Sequence, residues 1–311
     1  MMVPAVLLLL GALTAVAGPR LLARAAWPDR EPVVALWTWQ CVVAAVLLCC
    51  ALSMTLSAAA AWQAVRGHVF ATAPSGVVEA YSLSASGPWA AATATALACA
   101  GLWSGAMLVR EVARARSGQR RRRAELRLRA PLLPGEAATA GQLVVLEDER
   151  PEASWLADGT PQLVVTTAAL RRLKGRQLDA VLAHEQGHAQ ARHDWLLHCS
   201  AALANGFPQV PVFAAFRDEM HRLVELAADD TASRRVGRLT TALALVELNE
   251  DRGVFGPSPA PHAHVPLRVR RLLTPPDRLS APRRLGLTAT AALVPVVPVL
   301  VTLIPGLRAL G

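Results

Sequence analysis

Residues 179–194 read DAVLAHEQGHAQARHD and hold three of the chain's eight histidines, with a Glu directly after the first of them. The fold turns on whether this stretch is the core helix of a metal centre or a polar face on an ordinary surface helix. From Gln177 onward, Leu178, Val181 and Leu182, and later Leu196 and Leu197, recur at helical spacing. His184 and His188, four residues apart, then project from one helix face, with Glu185 beside the first. This HExxH arrangement supplies two zinc ligands and a carboxylate able to take a proton from zinc-bound water. Five residues recur by chance in unrelated chains, so a third ligand and a suitable setting must come from elsewhere in the sequence.

The third ligand is offered by ELAADD, residues 225–230. Glu225 and Asp229 are also four apart, in a helix expected over Val212–Val236, so both carboxylates share a face. Glu225 completes a His, His, Glu set that leaves a fourth position open to water. Asp229 is then free to accept a hydrogen bond from a ligand imidazole and fix its tautomer. The breaker NGFPQVP, residues 205–211, lets the two helices fold back on each other.

The setting is apolar and basic. The 311 residues are 53% hydrophobic and only 18% charged, yet the net charge is +9. Charge-free apolar segments lie at Met1–Pro19, Pro32–Val65, Ala80–Val109 and Leu285–Leu307. About 20 apolar residues cross a bilayer as a helix, so four spans are expected, at roughly 3–18, 33–56, 88–109 and 285–307. Pro295 and Pro298 are expected to kink the last of them. The first lacks the positive n-region of a signal peptide and is read as a retained helix. Nine arginines against two glutamates fill Arg110–Arg129, and six more arginines lie between Arg268 and Arg284. The positive-inside rule therefore places residues 110–284 in the cytoplasm, the loop 66–87 outside and the amino terminus outside. At a membrane edge, with no aromatic residues to stack on bases, the arginine run reads as a topological anchor touching the lipid bilayer; no direct nucleic-acid partner is expected. All five cysteines read as small apolar fillers, since none has paired metal spacing.

The fold class is thus a mainly α, polytopic membrane protein carrying a cytoplasmic α+β zincin-like domain. Residues 1–109 hold three spans, 110–284 the basic linker and metallopeptidase domain, and 285–311 the fourth span and a short tail. Within the domain, GQLVVLEDE reads as a strand, and Gln162–Val165 as a second strand running into a short helix that ends near Gly175. The Asp158-Gly159-Thr160 stretch before it favours a hairpin turn, and strand 162–165 is a candidate edge for an extended peptide. Helices are further expected at LTTALALVELNE and LRVRRLL, separated by a Pro-rich linker at 256–266. His193 and His198 are expected on a solvated or interfacial face, His221 on the surface, and Asp230 facing solvent or bonding within its helix. Glu219 could replace Glu225, but Leu223 stands where its acidic partner should be.

With both motifs in hand, HEQGH followed by ELAAD resembles the gluzincin metallopeptidases with an ExxxD second motif. Four spans with a zinc domain between the third and fourth look like the BlaR/MecR-type signal-transducer peptidases, with HtpX and CAAX-prenyl-protease-type enzymes as more distant relatives. The specific residues of this resemblance lie within about 180–230. It implies one catalytic zinc on His184, His188 and Glu225, Glu185 as the proton-transferring base, and a protein substrate. That substrate is expected to be a cytoplasmic transcriptional repressor or the enzyme itself, with membrane-protein quality control as an alternative. A membrane signalling or scaffold protein with a purely structural zinc site is the reading from a different class. BlaR/MecR sensors carry a penicillin-binding domain after the last span; this sequence ends at Gly311, so direct β-lactam sensing is not expected. The metzincin extension would need Gly and His where Ala191 and Asp194 stand, and site-2 proteases place their HExxH inside a span.

Overall fold

The computed structural model describes residues 2–66, 88–129, 142–149, 153–156, 162–249, 265–274 and 277–310. Nearly all of the loop 66–87, the Asp158–Thr160 turn and most of the Pro-rich linker lie outside these residues. Three long helices come first: α1 (Met2–Arg24), α2 (Pro32–Arg66) and α3 (Pro88–Arg129). Within them Met2–Arg24, Pro32–Ala60 and Thr95–Gly118 are long and apolar enough to cross a membrane. Helix α3 does not end at Val109. It continues as one helix through the arginine-rich segment, where Arg, Leu, Glu and Ala all favour helix and no proline interrupts.

A small sheet follows, built from β1 (Gln142–Leu146), β2 (Ala153–Leu156) and β3 (Gln162–Thr166) in the order β1-β3-β2. β1 pairs parallel to β3 with Val144 opposite Val164, and β2 pairs antiparallel to it with Trp155 opposite Leu163. Two expectations change here. ASWL, between the two strands read from the sequence, is itself a strand, and it is this β2 that makes the antiparallel pair with β3. β3 is therefore central with both edges occupied, so it offers no edge to a peptide. Val164 and Val165 are both buried, as befits consecutive residues of a strand covered on both faces.

Helices α4 (Thr167–Arg172), α5 (Arg176–Gln190), α6 (His193–Gly206), α7 (Pro211–Val236), α8 (Arg238–Asn249) and α9 (Val265–Leu273) complete the central region. The Thr166 hydroxyl caps α4 by accepting from the Ala169 N–H at 3.2 Å. Proline at the first turn of α7 and Gly237, at φ +94°, mark its two ends. The helix expected to run unbroken from Gln177 to about Asn205 is two helices. Arg192 adopts the left-handed conformation (φ 51°, ψ 41°) and turns the chain between α5 and α6.

One apolar cluster seats α5 on the sheet and α8, through Val165, Ala169, Leu173, Ala180, Val181 and Ala244. A second joins α6 and α7 to the amino-terminal half of α2. There Trp39 of α2 lies 6.3 Å, centroid to centroid, from Phe216 of α7, surrounded by Val42, Val43, Leu203, Phe213 and Met220. Burying each such large side chain contributes roughly 1.5–3 kcal/mol, so the candidate spans and the central helices share one core. The chain ends in α10 (Ala281–Leu293) and α11 (Val296–Leu310), which are bent by 46°. Pro295 at the break lacks an N–H and its ring clashes with the carbonyl of residue 291. Among the described residues there are three candidate spans, or four if this bent pair crosses as one.

Candidate metal centre

The centre forms where α5 crosses α7, and Gly187 explains how close they come. A Cβ on Gly187 would sit 3.2 Å from the Thr231 Cβ and 3.4 Å from the Ala228 Cα. Opposite it α7 presents Ala228, which is buried, and Thr231. Small residues on both helices thus bring the histidines of one up to the carboxylates of the other.

His184, His188 and Glu225 meet there, each offering one donor atom within 4.8 Å of the others. The two Nε2 atoms are 3.1 Å apart. Glu225 places Oε1 3.5 Å from His188 Nε2 and Oε2 3.6 Å from His184 Nε2. Ligands held tetrahedrally at about 2.0–2.1 Å from an ion stand about 3.3 Å from each other, so these separations fit a zinc-sized ion, as does the donor chemistry of two imidazoles and one carboxylate.

The far nitrogens of both imidazoles are engaged. His184 Nδ1 donates to Asp229 Oδ1 at 3.1 Å, so its Nε2 faces the centre. His188 Nδ1 lies 3.0 Å from His193 Nδ1. His193 is buried, not on a solvated face, which corrects the sequence reading. The cause is the turn at Arg192: on a continuous helix His193 would be about 140° around from His188, but α6 starts in a new direction and brings the ring back. Nothing in the sequence announces that turn, since neither glycine nor proline stands at 191–192.

The second residue missed by sequence reasoning is Arg268 on α9. Its guanidinium donates from Nε and Nη2 to the two oxygens of Asp229, both at 2.7 Å, and Nη1 lies 2.7 Å from Glu225 Oε2. Arg268 is buried on the same face of α9 as Val265 and Leu272. An arginine on the apolar side of a short amphipathic helix was the available signal. It was masked by the neighbouring arginines, which read together as topological charge.

Electrostatics follow from this packing. Burial opposes charge on His184, but the hydrogen bonds it donates to the Asp229 and Glu225 carboxylates outweigh it and raise its pKa to about 9. Burial, reinforced by the cations around it, lowers His188 to about 3, and burial lowers His193 to about 4. Both are neutral at pH 7, which suits a bond in which the His188 Nδ1–H donates to the bare Nδ1 of His193. Burial would raise the carboxyls of Glu225 and Asp229, but Arg268 and then His184 hold both below the usual carboxylate range. Glu185, half-buried beside His184, belongs to the same field, since its charge helps to hold the proton on Arg268.

Other candidates lie elsewhere. Glu219 pairs with Arg222 at 2.7 Å. His198 is half-buried, with Nδ1 against the Asp194 carbonyl, and half-buried His221 is outside the donor group. Asp230 neither faces solvent nor bonds only within its helix: both its oxygens accept from Arg271, at 2.7 and 3.0 Å.

Residues 133–275 match the model of peptidase family M48. The matched segment contains every residue of the centre, Arg268 included, and supports a metallopeptidase of that family. No curated protein and no solved structure matches the chain.

Proposed function

We propose that the chain is a membrane-embedded, zinc-dependent endopeptidase of the M48 type. The observation that carries this reading is the convergence of His184, His188 and Glu225, with Asp229 and His193 bonded behind the two imidazoles. Those three residues would hold a zinc ion, which when bound would supply Lewis acidity for a peptide carbonyl and for the attacking water. Glu185 takes the proton from the attacking water and returns it to the leaving amine. Asp229 and His193 hold the ligand rings in the tautomer that directs Nε2 inward, and Arg268 balances the carboxylates of Asp229 and Glu225.

The arginine distribution supports a cytoplasmic centre with the amino terminus outside. Within that reading the substrates are cytoplasmic or membrane proteins. The resemblance to BlaR/MecR-type peptidases favours a transcriptional repressor or the chain itself; removal of damaged membrane proteins is the alternative. The decisive test compares the membrane and cytosolic proteomes of cells carrying wild type and Glu185→Gln. Fragments present only with wild type are expected, while the variant retains its zinc; undiminished proteolysis by a zinc-loaded variant would overturn the assignment.

A further inference from the structure

Away from the metal centre, four arginines converge on one cleft. Arg30 comes from the segment between α1 and α2, Arg238 from the first residue of α8, Arg271 from α9, and Arg278 from the segment leading into α10; Asp230 and Ser233 of α7 complete the polar wall. Arg271 is neutralised by Asp230 and further held by the Asp29 carbonyl at 2.8 Å. The Asp29 carboxylate is taken by Arg222. Among the described residues no carboxylate forms an ion pair with Arg30, Arg238 or Arg278, so within that set three of the four cations of the cleft are unpaired. The first turn of α8 opens at its edge with no acidic residue to offset the positive end of the helix.

The position of the cleft identifies the ligand. Arg30 stands two residues before α2 begins at Pro32, and Arg278 three residues before α10 begins at Ala281. The cations therefore gather where two candidate spans start, at the level of lipid headgroups. We infer that this cleft binds the phosphate of an anionic lipid headgroup. Three guanidiniums around one concavity match a phosphate through several charge-assisted hydrogen bonds, whereas a neutral zwitterionic lipid brings its own cation to the same place. Arg271 in the cleft wall stands one turn along α9 from Arg268.

The inference rests on the reading of α2 and the α10–α11 pair as membrane spans. The test uses the full chain, extracted in a neutral detergent and melted with added phosphatidylglycerol, phosphatidylcholine or inorganic phosphate. Phosphatidylglycerol is expected to raise the melting temperature and to remain bound in native mass spectra, and phosphatidylcholine to do neither. The triple variant R30Q/R238Q/R278Q should lose both effects. R116Q/R120Q/R121Q, which removes the same charge from α3, should keep them. The single exposed substitution Arg278→Gln should weaken lipid retention severalfold if the triple variant does not fold. Equal retention by wild type and cleft variants, or equal loss in the α3 control, overturns the cleft as the site. An equal shift with inorganic phosphate overturns the lipid as its source. Extraction of the native chain from membranes by alkaline carbonate would instead sink the reading of the spans; a membrane-integral chain without lipid preference sinks only the cleft.

Discussion

Two arginine-rich stretches look alike in the sequence and behave in opposite ways in the fold. Along α3 the side chains of Arg110 and Arg114 are 53% and 60% exposed, with Glu111 of the same helix as partner. On α9 the side chains of Arg268 and Arg271 are each 10% exposed and fixed to carboxylates of α7. Glu111 itself is only 13% exposed, but the guanidiniums are solvated by water with or without it, so an ion pair of the first kind contributes about 0–1 kcal/mol. Removing one member of a buried group leaves the others charged and dry, which costs about 3–5 kcal/mol. The lesson is that an arginine's weight is set by the face of its helix, not by the density of charge around it.

The comparison breaks most readily at Arg268. Replacing it with Ala leaves the carboxylates of Asp229 and Glu225 with the His184 ring as their one remaining cationic partner, and destabilisation of about 3–5 kcal/mol is expected in denaturant melts of the detergent-solubilised chain. Arg268→Lys should recover only part of this, since an ammonium cannot reproduce the fork that spans both Asp229 oxygens and reaches Glu225. Equal stability of wild type and Arg268→Ala would mean that α9 does not dock as described.

The helix crossing comes next. Gly187→Ala pushes a methyl to 3.2 Å from the Thr231 Cβ, and neither helix has a flexible side chain tip there to yield. A cost of about 1–3 kcal/mol is expected, together with weaker metal binding, because separating α5 from α7 pulls Glu225 away from the histidines. His193 should act more locally. Replacement by Leu removes the acceptor behind His188 and is expected to weaken zinc about 10–100-fold by competitive chelator titration. His193→Gln, which keeps an acceptor, should recover most of that affinity, a result that loss of packing alone would not give.

His184 provides a pH test of the same cluster. In the metal-free chain its pKa is raised to about 9, so at pH 6 the ring is protonated and an incoming ion must displace that proton. His188, lowered to about 3, and Glu225, held below the usual carboxylate range, have none to give. About one proton should therefore be released per zinc bound at pH 6, measured by indicator dye in weak buffer. Affinity should rise with pH until the His184 pKa is passed. Release of two protons would show that His188 is not buried as described.

How much of this was legible in the sequence depends on how local each signal is. HEQGH and ELAAD could be read because helical periodicity alone places His184 with His188 and Glu225 with Asp229. The long apolar helices could be read because length and absence of charge are equally local signals. His193 could not, because its position depends on one left-handed residue, Arg192, that carries no glycine or proline marker. β2 was missed because ASWL is four residues long, too short for alternation to stand out. Arg268 is separated from its partners by some forty residues. Only packing shows that the apolar side of α9 faces the two carboxylates.

The smallest expected effect returns to α3. Arg114→Ala removes the partner that Glu111 has three residues away on the same helix, an interaction worth about 0.2–0.5 kcal/mol in isolated helices. The exposed guanidinium is lost from a solvated position, Glu111 keeps Arg110 at 3.9 Å, and alanine is itself the better helix former, so the contributions nearly cancel. Stability in detergent should stay within about 0.5 kcal/mol of wild type, and zinc affinity should not move. A loss as large as that of Arg268→Ala would mean that α3 packs against a surface, retained in detergent, that buries Arg114. The contrast between the two arginine stretches would then be one of partner, not of exposure.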